Sequence, residues 1–249
     1  MRLLEVLTAP VHINKRGTLV VLPSFVEKDF RLDMVEYACL YKQVVYTISG
    51  LTNVPRQIIA DALNVPAKGF YGHKLAEIID NVNRTPVDHD GVRYRFRVGV
   101  QTYSTVQQAI DAVQSGQPVI AFTNIHDALS YHLSDLDRDA AGGWSTRKQR
   151  QGIVDFKDSR RIHNQPATRA GHHVLLLIGY DRRTKHLIFR ETGATYAFKG
   201  YAKVSREILE THPHFVRLFL AIVVQDLKKK PINTSHKGKT DEIPPTTRR

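Results

Sequence analysis

Two side chains flanking a pair of apolar runs could do chemistry together. His172 stands in Gly171-His172-His173, directly before Val174-Leu175-Leu176-Leu177-Ile178, and Glu191 follows Leu187-Ile188-Phe189-Arg190. An imidazole titrates near neutrality and moves protons, and a carboxylate bonded to its ring fixes the tautomer and steadies the imidazolium. A histidine held in this way is half of a nucleophilic constellation. The other half is an attacking atom, which the rest of the chain has to provide. His172 suits the base better than His173. Neighbours on a strand point to opposite faces, so only one of them can face a cleft.

The pattern of the chain says what positions these groups. The run from Val174 to Ile178 is apolar on both alternating faces, as a strand buried on two sides reads. It continues into Gly179-Tyr180-Asp181, and Arg182-Arg183-Thr184-Lys185 is a polar turn. Leu187 to Glu191 then returns antiparallel, so the histidine and the carboxylate share one end of a hairpin. Upstream, Gly17 to Leu22 predicts a strand stopped by Pro23. From about Asp33 the spacing turns helical, with Val35, Cys39, Val45 and Ile48, flanked by Leu40, Tyr41 and Val44, on a broad apolar surface, and Gly50 as the stop. Pro55 opens a second helix behind the cap Thr52-Asn53-Val54, and a third spans about Leu75 to Val82.

Arg93 to Val98 alternates with period two, which predicts a half-exposed strand with a basic outer face. Ser104, with Gln107 three residues on, reads as a capping box for a helix ending at Gly116. Pro118 to Phe122 is a short buried strand. Residues 123–170 lose regular patterning and read as a long exposed loop bordering the cleft. A strand at Lys199–Val204, a helix at Ser205–Glu210 and a strand at Phe215–Val224 close the pattern. No internal repeat is found. Helices come first and strands follow, which suggests two sublobes with a cleft between them.

Composition bounds the answer. The chain has 249 residues, 42% of them hydrophobic, enough for one sizeable core. No apolar run is long enough to span a bilayer, and Glu5 interrupts Met1-Arg2-Leu3-Leu4 before a secretory signal can form. The expected location is therefore the cytoplasm, or export by a route without a cleaved signal. The single cysteine, Cys39, excludes an internal disulfide. The net charge of +12 favours polyanions as contacts. Part of it lies in residues 227–249, a stretch rich in Lys, Arg and Pro that reads as a basic disordered tail.

Taken in order, these stretches resemble the papain-like cysteine peptidase superfamily, closest to its bacterial leader-peptidase and effector-protease branches. Gly171-His172-His173-Val174 through Gly179-Tyr180-Asp181 is similar to that family's histidine strand. Phe189-Arg190-Glu191-Thr192-Gly193 stands where the family has its orienting Asn or Asp, and Gly200-Tyr201-Ala202-Lys203-Val204 is similar to the next strand. The helix bearing Cys39 resembles the nucleophile helix, and residues 104–122 resemble the helix and strand preceding the histidine. The resemblance implies an α+β fold, a helical lobe over about 33–90 and an antiparallel β lobe over about 91–226. It implies a thiol peptidase or related acyl-transfer enzyme acting on a peptide or protein substrate without a cofactor. Cys39 would be the nucleophile, His172 the base and Glu191 the orienting group.

Several features depart from the family pattern. Upstream of Cys39, where the family has an oxyanion-binding Gln, the chain has Asp29 and Asp33, which would repel a developing oxyanion. Effector-type members often read Cys-Trp-Tyr-Ala-Cys. In that register Val35 takes the nucleophile's place, Cys39 lies one turn inside the helix, and the protein is an inactive binding or structural module. Glu191 is longer than Asn or Asp, and pairing with Arg190 or Arg182 at the surface is its alternative role. Cys39 can equally be a small core residue.

Other chemistries find less support. The histidines at 163, 172 and 173, or 212 and 214, lack zinc spacing, so no metal is expected. Asp88-His89-Asp90 reads as a solvated turn. Ser130 and Ser145 lack the strand–turn–helix elbow of a serine hydrolase. Arg93, Arg95 and Arg97, the loop cations Arg147, Lys148, Arg150, Arg160 and Arg161, and Lys228-Lys229-Lys230 form a basic loop and tail. They could hold an anionic partner such as a phosphate backbone, though no nucleic-acid-binding motif accompanies them.

Overall fold

A computed structural model describes residues 6–25, 39–64, 74–123, 153–156, 173–190, 201–211 and 216–232. The fold mixes helices with a curled, mainly antiparallel sheet. In chain order the described elements are β1 (His12–Ile13), β2 (Leu19–Val21), α1 (Cys39–Thr52), α2 (Arg56–Leu63), α3 (Leu75–Arg84), β3 (Val87–His89), β4 (Val92–Tyr103) and α4 (Val106–Gln114). They continue with β5 (Val119–Thr123), β6 (Ile153–Phe156), β7 (His173–Asp181), β8 (His186–Arg190), β9 (Tyr201–Ser205), α5 (Arg206–Thr211) and β10 (Val216–Pro231). The strands stand side by side as β3-β4-β10-β5-β7-β8-β9-β6.

The histidine hairpin lies near the middle of this sheet. β7 pairs with β8 antiparallel, Tyr180 against Leu187 and Leu177 against Phe189. Its other neighbours are β5 along His173–Leu177 and β2 along Gly179–Asp181. Every residue from Val174 to Ile178 is buried, as its two-sided apolar pattern requires. Gly179 is dictated by the approach of β2: a Cβ there would stand 2.8 Å from the carbonyl oxygen of Val20. The glycine of the Gly-Tyr pair near the end of the histidine strand is therefore accounted for by packing.

Three boundaries differ from the pattern reading. α1 runs through Gly50 to Thr52, because the Phe25 ring fills the space a Cβ would need, so the glycine makes room for a neighbour and does not stop the helix. The cap of α4 sits one residue later than expected. The Thr105 hydroxyl accepts from the Gln108 N–H at 3.1 Å, and the Gln108 carboxamide accepts from the Ser104 and Thr105 N–H groups at 2.9 and 3.3 Å. β10 continues to Pro231, so the first residues assigned to a disordered tail, Leu227–Pro231, form strand.

That last correction has a local cause. A bulge at Gln225 shifts the pairing, with Val224 facing Val98 and Asp226 facing Arg97. Without the extra residue, Leu227 would fall on the solvent face. With it, Leu227 faces Phe96 and packs against the core. The strand β6, paired parallel with β9, is a regular element inside the stretch that reads as an unpatterned loop. Asp88-His89-Asp90, expected as a solvated turn, is a turn only at its last residue: Asp88 and His89 belong to β3, His89 is partly buried, and Asp90 and Gly91 have positive φ, 49° and 70°, as a tight hairpin of the primed kind needs.

Candidate active site

Helix α1 is buried on most of its circumference, with Val44, Val45 and Ile48 fully enclosed. A helix apolar all round belongs in an interior, and α1 packs on β7 and β10 with α2 alongside. The Asn81 carboxamide of α3 holds this group together, donating to the Tyr41 hydroxyl at 3.1 Å and to the Leu63 carbonyl at 3.0 Å.

One stripe of α1 is different in chemistry. Cys39, Gln43 and Thr47 follow at intervals of four and so lie above one another on one face. Gln43 and Thr47 are fully buried. The Thr47 hydroxyl donates back to the Gln43 carbonyl at 2.9 Å. The Gln43 carboxamide donates to the backbone carbonyl of Val174, on β7, at 3.0 Å. This stripe therefore faces the histidine strand.

A second tie fixes the direction of the helix. Gly50, near the C-terminal end of α1, lies against Phe25. Phe25 follows Leu22, whose N–H donates to the carbonyl of Ile178 at 2.9 Å. Gln43 thus sits at Val174, whereas Gly50 lies against the segment that leaves the sheet beside Ile178, which orients α1 along β7 in the same direction. Cys39 is four residues before Gln43, about 6 Å along a helix. His173, which precedes Val174, is about 3.3 Å back along β7. Cys39 accordingly extends toward the end of β7 that His173 opens. Its side chain is partly buried and packs against the core.

Of the three expected site residues, Cys39 is described, whereas His172 and Glu191 lie outside the described residues, next to the ends of β7 and β8. Val35, Asp29, Asp33, His163, His212, His214, Ser130, Ser145 and the loop cations from Arg147 to Arg161 also lie outside them. His173 pairs with Thr123 on β5. Arg190, which precedes Glu191, is buried to 1% exposure, so a pair between the two would not be a surface one. Arg182 is exposed and reaches the Gly17 carbonyl at 3.3 Å. Asp181 is committed to the β7–β8 turn, where it accepts from the N–H groups of Arg183 and Thr184. Among the described residues no group of three or more His, Cys, Asp or Glu is arranged to hold a metal ion.

Gln43 is the residue that the pattern reading missed. Its signal was present: an amide within an apolar helix, one turn from the cysteine, is costly to bury unless something accepts its protons.

No family model matches the chain, and no curated protein matches it. Among solved structures it is similar to the crystal structure of xylellain, a cysteine protease from Xylella fastidiosa, with a TM-score of 0.41 and 12% identity over 75% of this chain and 77% of that one. A likeness of that degree leaves the family open.

Proposed function

We propose that the chain is a papain-like thiol peptidase, or a related acyl-transfer enzyme, acting on peptide or protein amides. The observation that carries this reading is the buried Gln43–Val174 hydrogen bond. Cys39 is one turn before Gln43 on α1, toward the end of β7 that His173 opens, and His172 is the residue before His173 in the sequence. In this reading His172 draws the proton from the Cys39 thiol, and the thiolate attacks the carbonyl carbon of the scissile amide. The imidazolium then protonates the leaving amine, and Glu191 holds the ring in the tautomer the step needs. Water hydrolyses the resulting thioester with the same imidazole as base.

A second reading is supported by the packing of Cys39 against the core: a papain-like binding module in which that sulfur is only a small apolar group. Alkylation separates the two. Iodoacetamide should modify Cys39 of the native protein at neutral pH faster than it modifies the urea-unfolded chain, and His172→Ala should abolish the difference. Native labelling slower than that of the unfolded chain, rising steeply with pH and indifferent to His172→Ala, would establish the binding module.

A further inference from the structure

The far end of the sheet has a composition unlike the rest. Beyond Val224, β10 pairs with β4 alone among the described residues, and β3 adds only a three-residue third strand. The bulge at Gln225 sorts the side chains of this ribbon onto two faces. Val87, Phe96 and Leu227 turn to the core side. On the opposite face Arg97 stands across from Asp226, Arg95 across from Lys228, and Arg93 across from Lys230. All five cations on that face are exposed.

Like charges directly opposite one another weaken a strand pair. Two such rungs occur in succession, and the acids nearby relieve them only in part. Asp88 is engaged by Arg93 at 2.8 Å, and Asp226 is 4.0 Å from the Lys228 ammonium. Charge at a sheet edge guards against aggregation, but mixed signs would guard it equally well without the repulsion. The arrangement is favourable when an anion lies along the ribbon. Same-face residues on a strand repeat at about 6.8 Å, a step comparable to that between successive phosphates of a nucleotide chain.

The chemistry of this face also narrows the partner. It carries no aromatic ring on which unpaired bases would stack, since Tyr94 is on the other face beneath Lys229. It carries no apolar side chain that would enter a lipid surface. We propose that the β4–β10 ribbon is a docking surface for the phosphate backbone of duplex nucleic acid, bound without regard to sequence. Arg95, Arg97, Lys228 and Lys230 supply the contacts. This inference is independent of the peptidase reading, because the ribbon uses β10 beyond Val224, past its pairing with β5, and involves none of Cys39, His172 and Glu191.

The test uses the full chain, a fluorescein-labelled duplex of mixed sequence, and two variants with the same change in net charge, Arg95→Glu on the ribbon and Arg183→Glu in the β7–β8 turn. R95E should weaken duplex binding at least tenfold and lower the slope of log affinity against log salt by about one. It should also leave the melting temperature equal to or above that of the parent, since it replaces a repulsive rung with an attractive one. R183E should change affinity less than threefold. Equal weakening by both variants would overturn the proposal by showing diffuse charge alone. So would binding unaffected by R95E, a lowered melting temperature in R95E, or ribbon-dependent capture by phosphatidylserine vesicles with no capture of duplex.

Discussion

The α1–β7 contact and the β4–β10 ribbon are built from the same kinds of element and solve opposite problems. At the first, a helix lies on the central part of the sheet, and its buried polar groups meet partners across or along the helix, as the Gln43 amide does at Val174 and the Thr47 hydroxyl at Gln43. At the second, two strands run out past their neighbours, and one face is left to charge. Burial gives the first region one arrangement, because an amide displaced from its carbonyl would remain inside without water to replace it. Solvent permits the second to tolerate repulsion, since exposed charges are screened and each pair contributes little. Chemistry that needs fixed geometry belongs in the first kind of region, and reversible contact with an extended anion in the second.

The contrast is broken most directly by paired truncations. Phe189→Ala, beside Leu177 in the sheet core, should cost about 3–5 kcal/mol, whereas Arg95→Ala should change stability by no more than about 0.5 kcal/mol, both measured by denaturant unfolding. Similar losses at the two sites would mean that the ribbon is as tightly packed as the centre.

A smaller effect sharpens the account of α1. Gln43→Ala leaves the Val174 carbonyl buried without its donor and should cost about 1–3 kcal/mol. If the tie also aligns the site, Gln43→Ala should slow native alkylation of Cys39 at neutral pH, which a remote core variant of equal destabilisation would not.

The smallest effect lies in the ribbon. The Arg93 guanidinium, bonded to both oxygens of Asp88 at 2.8 Å, holds that carboxyl below the usual carboxylate range. The folded state therefore takes up this proton less readily than the unfolded state. The stabilising contribution is present above the ordinary carboxylate pKa and is lost as pH falls through the lowered one. An NMR titration should find the Asp88 midpoint low in the parent chain and moved upward in Arg93→Gln. An unmoved midpoint would show that the pair does not persist in solution.

Periodicity located most elements because burial imposes it residue by residue. The two-sided apolar run at Val174–Ile178 had to be an interior strand, and Arg93, Arg95 and Arg97 had to share an exposed face, as they do. The failures occur where a distant segment decides the outcome. Gly50 reads as a stop until Phe25 is seen to occupy its missing side chain. Leu227 reads as part of a charged tail until a single extra residue at Gln225 turns it toward Phe96. The strand at Ile153–Phe156 has no pattern of its own, and its partner is β9, far along the chain.

The same division holds for function. Resemblance to the papain-like peptidases, carried mainly by the stretch around His172, singled out Cys39, His172 and Glu191 as a candidate set, whereas residue types alone offered only a thiol, an imidazole and a carboxylate. Tertiary structure decided that α1 runs alongside β7 in the same direction, with Cys39 toward the end that His173 opens. It also decided that lysines near the C-terminus face arginines from mid-chain. Directions and cross-strand registers come from contacts between residues far apart in the chain, such as Gln43 with Val174 and Arg95 with Lys228, and no local spacing encodes them.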